Sequence, residues 1–236
     1  MSYKLLGQRE EQKELEEAFR TLRTNLLLRI KAGQRCFLVT SALPAEGKTS
    51  TAVALARCLA GMRKVLLVDA DLRRPQLHNW FAISNDRGLS DCSLLQSDAA
   101  MVQSVAGISV IPGGSSLVDV QEFFTSPSFQ RALVYMRANY DIILFDSPPI
   151  LSVPDGLVLA SMVDGVIMVL RAGVITQTEA LDSVRRLESV GGQLLGFVLT
   201  GCRRDRQRRS CGPGYGVGAT VATGPVIQKV LLEGGR

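Results

Sequence analysis

Residues 35–51, RCFLVTSALPAEGKTST, constrain this chain more than any other stretch. An apolar run (Cys36, Phe37, Leu38, Val39) enters a short loop closed by Gly47, Lys48 and Thr49; Ala52, Val53, Leu55, Ala56 and Leu59 then recur at helical spacing. The pattern predicts a buried strand over 35–41 and a helix over 49–61. The loop between them fits (A/G)-x4-G-K-(S/T), with Ala42 in first place. In such a loop backbone N–H groups and the helix N-terminus receive phosphate oxygens, a lysine adds charge at the β- and γ-phosphates, and the hydroxyl serves Mg²⁺. Ala42, Pro44, Ala45, Glu46, Gly47, Lys48, Thr49 and Ser50 are therefore the candidate nucleotide-binding residues. Gly47 is the least replaceable, because only glycine takes φ > 0 without penalty.

A phosphate loop needs acids for the metal and for the attacking group. Residues 64–71, KVLLVDAD, read as a strand buried on both faces that ends in Asp69 and Asp71. Two residues apart on extended chain, these carboxylates point the same way. Residues 140–146, YDIILFD, form a second apolar run ending in an acid, Asp146. Ligands of open α/β sheets sit beyond the carboxyl ends of the strands, so all three acids are expected at the rim that carries the loop. Further strands at 164–171 and 194–199 flank a helix over 176–190. This alternation predicts an α/β fold, a mostly parallel central sheet with helices on both faces.

The remaining segments carry weaker signals. Residues 9–31 read as a helix with Leu15, Ala18, Phe19, Leu22 and Leu26 on one stripe and Glu17, Arg20 and Arg23 on another. The second stripe is either an ion-pair ladder or a subunit contact. Arg73 or Arg74 is placed to reach phosphate or a partner, Trp80 and Phe81 are expected to pack, and the lone His78 has no companion at metal-ligand spacing. A short helix over 89–95, a polar connection to 107, a strand over 108–111 and a helix opened by Ser126 and Pro127 follow. Asp155, after Pro154, reads as a helix-start acid favoured by the dipole. Past Thr200 the periodicity dissolves into an Arg- and Gly-rich segment, read as a flexible tail over 201–236 with a short helix from Val226 to Leu232.

At 46% hydrophobic residues the chain has ample material for one large domain, assigned to 1–200. No run approaches the roughly 20 apolar residues of a membrane span, and the first 13 residues lack an apolar signal core, so a cytoplasmic location is expected. The five cysteines form no CxxC pair, which points to reduced thiols. The formal charge of +5 is concentrated in Arg203, Arg204, Arg206, Arg208 and Arg209. No aromatic residues interleave with them, so nucleic acid is not the expected partner.

Taken together, EAFRTLRTN (17–25), TSALPAEGKTST (40–51), VLLVDADLRRP (65–75), YDIILFDSPP (140–149), VPDGLVLASMVDGVIMVLRAG (153–173) and LLGFVLT (194–200) resemble the cytoplasmic kinase domain of bacterial tyrosine autokinases of capsular and exopolysaccharide biosynthesis. The resemblance implies a P-loop NTPase three-layer sandwich. It also implies an ATP- and Mg²⁺-dependent transfer of the γ-phosphate to tyrosine hydroxyls. Lys48 matches the phosphate lysine, Thr49 the Mg²⁺ hydroxyl, Asp69 and Asp71 the second Walker carboxylates, and Asp146 the Walker B acid. Thr49, Asp71 and Asp146 become the implied metal set, and Asp69 the group that orients or deprotonates the incoming tyrosine. Glu17, Arg20 and Arg23 match a segment associated with contact between subunits of a homo-oligomer. Implied partners are protein tyrosine substrates and a membrane-embedded polysaccharide chain-length regulator that activates the kinase, which would recruit the chain to the inner face of the cell membrane.

The chain departs from that pattern where the family carries a tyrosine cluster in its tail. Here Tyr215 is the one tyrosine after Thr200, and thus the possible phosphosite. Thr200 itself stands where an asparagine commonly ends the last strand. Two other readings share the fold: an ATPase switch of the partitioning or septum-site type, and a nucleotide-binding regulatory module without kinase activity. The first type carries an extra lysine near the loop's start, where this chain has Ala42, Leu43, Pro44 and Ala45.

Overall fold

Apolar residues at every position of a strand force both faces of a sheet into the core, and helices must cover both. The computed structural model describes residues 2–92, 102–115, 117, 119–202 and 226–229. In chain order, the long helix α1 (Ser2–Arg29) precedes β1 (Cys36–Ser41), α2 (Lys48–Ala60), β2 (Val65–Asp69) and the short α3 (Leu77–Phe81). Then come β3 (Gln103–Val105), β4 (Ile108–Ile111), α4 (Val120–Thr125), α5 (Pro127–Asn139) and β5 (Ile142–Asp146). The last elements are α6 (Asp155–Ala160), β6 (Gly165–Arg171), α7 (Gln177–Ser189), β7 (Leu194–Thr200) and β8 (Val226–Lys229).

The strands form one sheet in the order β3-β4-β2-β5-β1-β6-β7-β8. Every pairing is parallel except β3 with β4. Alternate residues of each central strand supply opposite faces. Phe37, Val39, Leu67 and Leu144 pack with Phe19, Leu22 and Leu26 of α1 and Ala52, Leu55 and Leu59 of α2. Leu38, Leu66, Val68 and Phe145 pack beneath α4 to α7, against Phe124, Phe129, Leu159 and Leu187. The second layer is knit by aromatic edges: the Phe124 and Phe129 rings lie 5.1 Å apart, and Phe129 and Phe145 6.5 Å apart. Each such pair adds about 0.5–1.5 kcal/mol beyond its buried area.

Several expected elements changed. The first helix begins at Ser2 rather than residue 9. The helix predicted over 89–95 is a single 3-10 turn, Leu89–Asp91, beyond which residues 93–101 lie outside the described residues. Within the connection read as polar and irregular, Gln103–Val105 pairs antiparallel with β4. Val226–Lys229, expected as a helix, is a strand parallel to β7, where backbone pairing with an open edge overrides local propensity. Helix α4 was not foreseen; Asp119 caps it by accepting from Gln121 and Glu122 N–H, both at 2.9 Å. No helix among the described residues is long and apolar enough to cross a membrane.

Candidate active site

Strands β2, β5 and β1 are neighbours, so their carboxyl ends share one rim. Parallel register sets Asp69 beside Asp146 and Asp146 beside Val39, just before the loop 42–47. Backbone bonds continue the pairing past the strand ends, from Ala70 N–H to Asp146 O at 2.8 Å and from Ser147 N–H to Val39 O at 3.1 Å.

The loop turns twice through the left-handed region. Gly47, at φ 91°, caps α2, as the glycine argument requires. Ala45 also has φ 61°, a conformation that costs a side-chain-bearing residue about 1–2 kcal/mol. Lys48 opens α2, and its Nζ lies 3.4 Å from Asp71 Oδ2, the two side chains being 15% and 10% exposed. Ala42 is fully buried, whereas Pro44 and Ala45 are exposed and Thr49 and Ser50 are half-buried at the helix start. Glu46 does not face outward: its buried carboxylate accepts from Leu43 N–H at 2.7 Å and Arg171 N–H at 3.0 Å. Burial raises its pKa. Only its backbone remains available to a phosphate.

Each acid has a distinct environment. Asp69 is buried; its Oδ2 accepts from Gln76 N–H at 2.7 Å and Leu77 N–H at 2.8 Å, capping α3, while Oδ1 has no partner. Burial pushes its carboxyl up to about 6 against the pull of those N–H groups. Asp71 accepts from Arg74 N–H at 3.2 Å, and burial raises it while Lys48 opposes. Asp146 is buried and its Oδ1 is unpartnered. Burial lifts it to about 7, with Lys48 lowering and Asp69 raising it.

An unpartnered buried carboxylate oxygen is a costly state that a hard cation relieves, and the set Thr49, Asp71 and Asp146 supplies the oxygen donors Mg²⁺ prefers. Among the described residues no three His, Cys, Asp or Glu side chains form a closed metal cage. Mg²⁺ usually takes one or two carboxylates and completes its shell with water and substrate phosphate.

Other predicted residues lie apart from this rim. Glu17 and Arg20 form an exposed ion pair on α1 at 3.0 Å, while Arg23 turns inward, its Nη1 donating to Cys58 O at 3.3 Å. Tyr215 and the arginine run 203–209 lie outside the described residues. Trp80, expected to pack, is 48% exposed, although Phe81 is buried. Asp155 does start α6, yet its role is larger than a dipole contact: its buried carboxylate receives a two-pronged bond from Arg73, at 2.6 and 3.2 Å. Arg73 is thus fixed to α6 although it is exposed, as Arg74 is too. Sequence reasoning missed Arg171 and noted Thr200 only as standing at an asparagine position; both reach the loop, from the ends of β6 and β7, and Thr200 Oγ1 donates to Glu46 O at 2.7 Å. Nothing in a run such as VLRAG or FVLTG announces such a contact.

A parallel sheet whose central strand feeds a phosphate loop, with acids on the neighbouring strands, defines a P-loop nucleotide-binding domain; accordingly, residues 45–187 match the family described as AAA domain. At 33% identity over 192 residues, 78% of the chain aligns with 80% of tyrosine-protein kinase YwqD of Bacillus subtilis (strain 168). The identity is also 33% over 190 residues to tyrosine-protein kinase etk of Escherichia coli (strain K12), covering 78% of this chain and 26% of that longer protein. The chain therefore belongs to the bacterial tyrosine-protein kinase family. The solved kinase domain of Escherichia coli ETK superposes with a TM-score of 0.76 at 32% identity, over 85% of this chain and 80% of that one. A more distant structure, cobyrinic acid a,c-diamide synthase from Mycobacterium smegmatis with bound ATP analog and magnesium, shares the fold at a TM-score of 0.59 and 21% identity, over 71% of this chain and 75% of that one.

Proposed function

We propose that this chain is an ATP-dependent protein-tyrosine kinase that transfers the γ-phosphate of ATP to tyrosine hydroxyls and regulates capsular or exopolysaccharide biosynthesis. The observation that carries the reading is the convergence of Lys48, Asp71, Asp69 and Asp146 at one rim, with two buried carboxylate oxygens left unpartnered. Lys48 is already held at the mouth of the loop by Asp71, ready to exchange that carboxylate for phosphate oxygens. Loop N–H groups and the start of α2 add fixed positive potential. Thr49, Asp71 and Asp146 would hold Mg²⁺, which when bound neutralises triphosphate charge. Asp69 is the candidate to accept the hydrogen of the attacking hydroxyl: its Oδ1 is free, and a carboxyl lifted to about 6 is a better base than an ordinary one. Positioning and electrostatics carry most of such a transfer.

The exposed Glu17–Arg20 pair supports a role for α1 in contact between copies of the chain, with Arg23 bracing that helix on α2. Tyr215 is the proposed acceptor in the C-terminal segment, other substrates being tyrosines of partner proteins. A membrane-embedded chain-length regulator is the proposed activator, which would draw the chain to the inner face of the membrane.

The test is incubation of purified protein with labelled ATP, Mg²⁺ and a tyrosine-containing polypeptide. Phosphotyrosine is expected from wild type and a loss of at least about 100-fold from Lys48→Met. Activity that survives Lys48→Met, or steady ADP release without phosphotyrosine, would reverse the assignment.

A further inference from the structure

The left-handed turn at Ala45 persists only if its surroundings over-determine it. Three side chains do so, and none belongs to the acid cluster. The Glu46 carboxylate bridges Leu43 N–H at 2.7 Å and Arg171 N–H at 3.0 Å, tying the loop to the end of β6. Arg171 Nη1 donates to Ala45 O at 3.1 Å. Thr200 Oγ1, at the end of β7, donates to Glu46 O at 2.7 Å, and Ala172 N–H to Thr200 O at 2.9 Å joins the two strand ends.

A trans peptide is planar, so its C=O and the next N–H point in opposite directions. Holding Ala45 O toward Arg171 therefore aims the Glu46 N–H away from β6, and holding Glu46 O toward Thr200 aims the Gly47 N–H away from β7. Both N–H groups belong to the loop that the functional reading assigns to phosphate. Resting on that reading, we propose that Glu46, Arg171 and Thr200 form a strap of positioning residues that sets the loop's affinity for nucleotide by orienting its N–H groups. Thr200 reaches the loop through its hydroxyl, and Glu46 acts through its buried side chain rather than by touching the ligand.

The experiment separates binding from transfer. Dissociation constants for a fluorescent ADP analogue, and the MgATP KM and kcat for tyrosine phosphorylation, would be measured on the full chain and on Thr200→Val, Thr200→Ser and Glu46→Gln, with melting temperatures alongside. Thr200→Val keeps the shape and removes the hydroxyl; about 10-fold weaker nucleotide binding is expected, with KM rising in step. Thr200→Ser should recover binding to within about 2-fold, and Glu46→Gln should weaken it at least about 10-fold by turning a donor toward a donor. In each case kcat at saturation is expected to stay within about 3-fold, because the loop N–H contacts weaken equally in the bound ground state and the transition state. Wild-type affinity in both Thr200→Val and Glu46→Gln would overturn the proposal. So would a fall in melting temperature and kcat at constant KM, the mark of mere scaffolding. Wild type that binds no nucleotide overturns the kinase reading itself, and the strap with it.

Discussion

Two aspartates at opposite ends of the sheet show how differently one fold treats its carboxylates. Asp164, just before β6, sits at the amino-terminal rim, where its carboxylate takes a fork from Arg137 at 2.8 and 3.1 Å and the N–H groups of Arg35 and Cys36 at 2.7 and 2.8 Å. Burial pushes it up, but Arg137 and those N–H groups outweigh burial and hold it below the usual carboxylate range. Asp146, at the carboxyl rim, is more deeply buried, keeps an unpartnered oxygen and is lifted to about 7. A fold that satisfies one acid so fully leaves the other short of partners at the rim proposed to hold the metal and nucleotide. Unmet polar demand, rather than burial or charge alone, is what distinguishes the two carboxylates.

Exchanging each acid for its amide tests that contrast, and the largest effect belongs to Asp146. Asp146→Asn is expected to reduce phosphotyrosine formation by at least about 100-fold, read with labelled ATP. The same change should raise the melting temperature of the nucleotide-free protein at pH 8 by a few degrees. The sign follows from the raised pKa. With a folded value of about 7 against an ordinary 3.8, the stability carried by the neutral form is lost as pH rises through 7. The gain from the amide should therefore shrink toward pH 5, and a gain that is flat with pH would show that charge burial is not its source.

Asp164→Asn should behave in the opposite way, leaving kinase activity within about 3-fold while lowering stability by about 1–3 kcal/mol, measured by urea titration at pH 7. Its depressed pKa places the wild-type advantage above the ordinary carboxylate range, and that advantage is lost as pH falls below about 4. An activity loss matching that of Asp146→Asn would erase the distinction between the rims. The smallest effect is expected at the loop: Ala45→Gly removes the left-handed penalty but adds unfolded-state entropy, so the melting temperature should change by less than about 3 °C. A large destabilisation would mean that the Ala45 methyl packs in a way its exposure does not indicate.

The same contrast explains which features were legible in the chain. Lys48, Asp69, Asp71 and Asp146 were readable because each stands at a fixed offset from an apolar run, and parallel register carries run ends to a common rim. Thr176 was equally readable as the start of α7, since it forms a capping box with Glu179 within three residues. Asp155 was half read: Pro154 marks the helix start, but Arg73 is 82 residues away along the chain and no local pattern joins them. Glu46 was read as part of the loop with no task for its side chain, because its partner Arg171 lies 125 residues on. Strands β3 and β8 escaped because they are edge strands, whose pairing supplies what their short, polar or irregular sequences do not.

The sequence by itself determined the α/β class, the phosphate loop and the ends of the strands that carry acids, since periodicity and turn chemistry act over a few residues. Tertiary structure alone decided which carboxylates are satisfied and which are left wanting, and which distant side chains brace the loop. Those outcomes depend on burial and on hydrogen bonds between segments more than 100 residues apart, such as Thr200 with Glu46, and no local pattern encodes them.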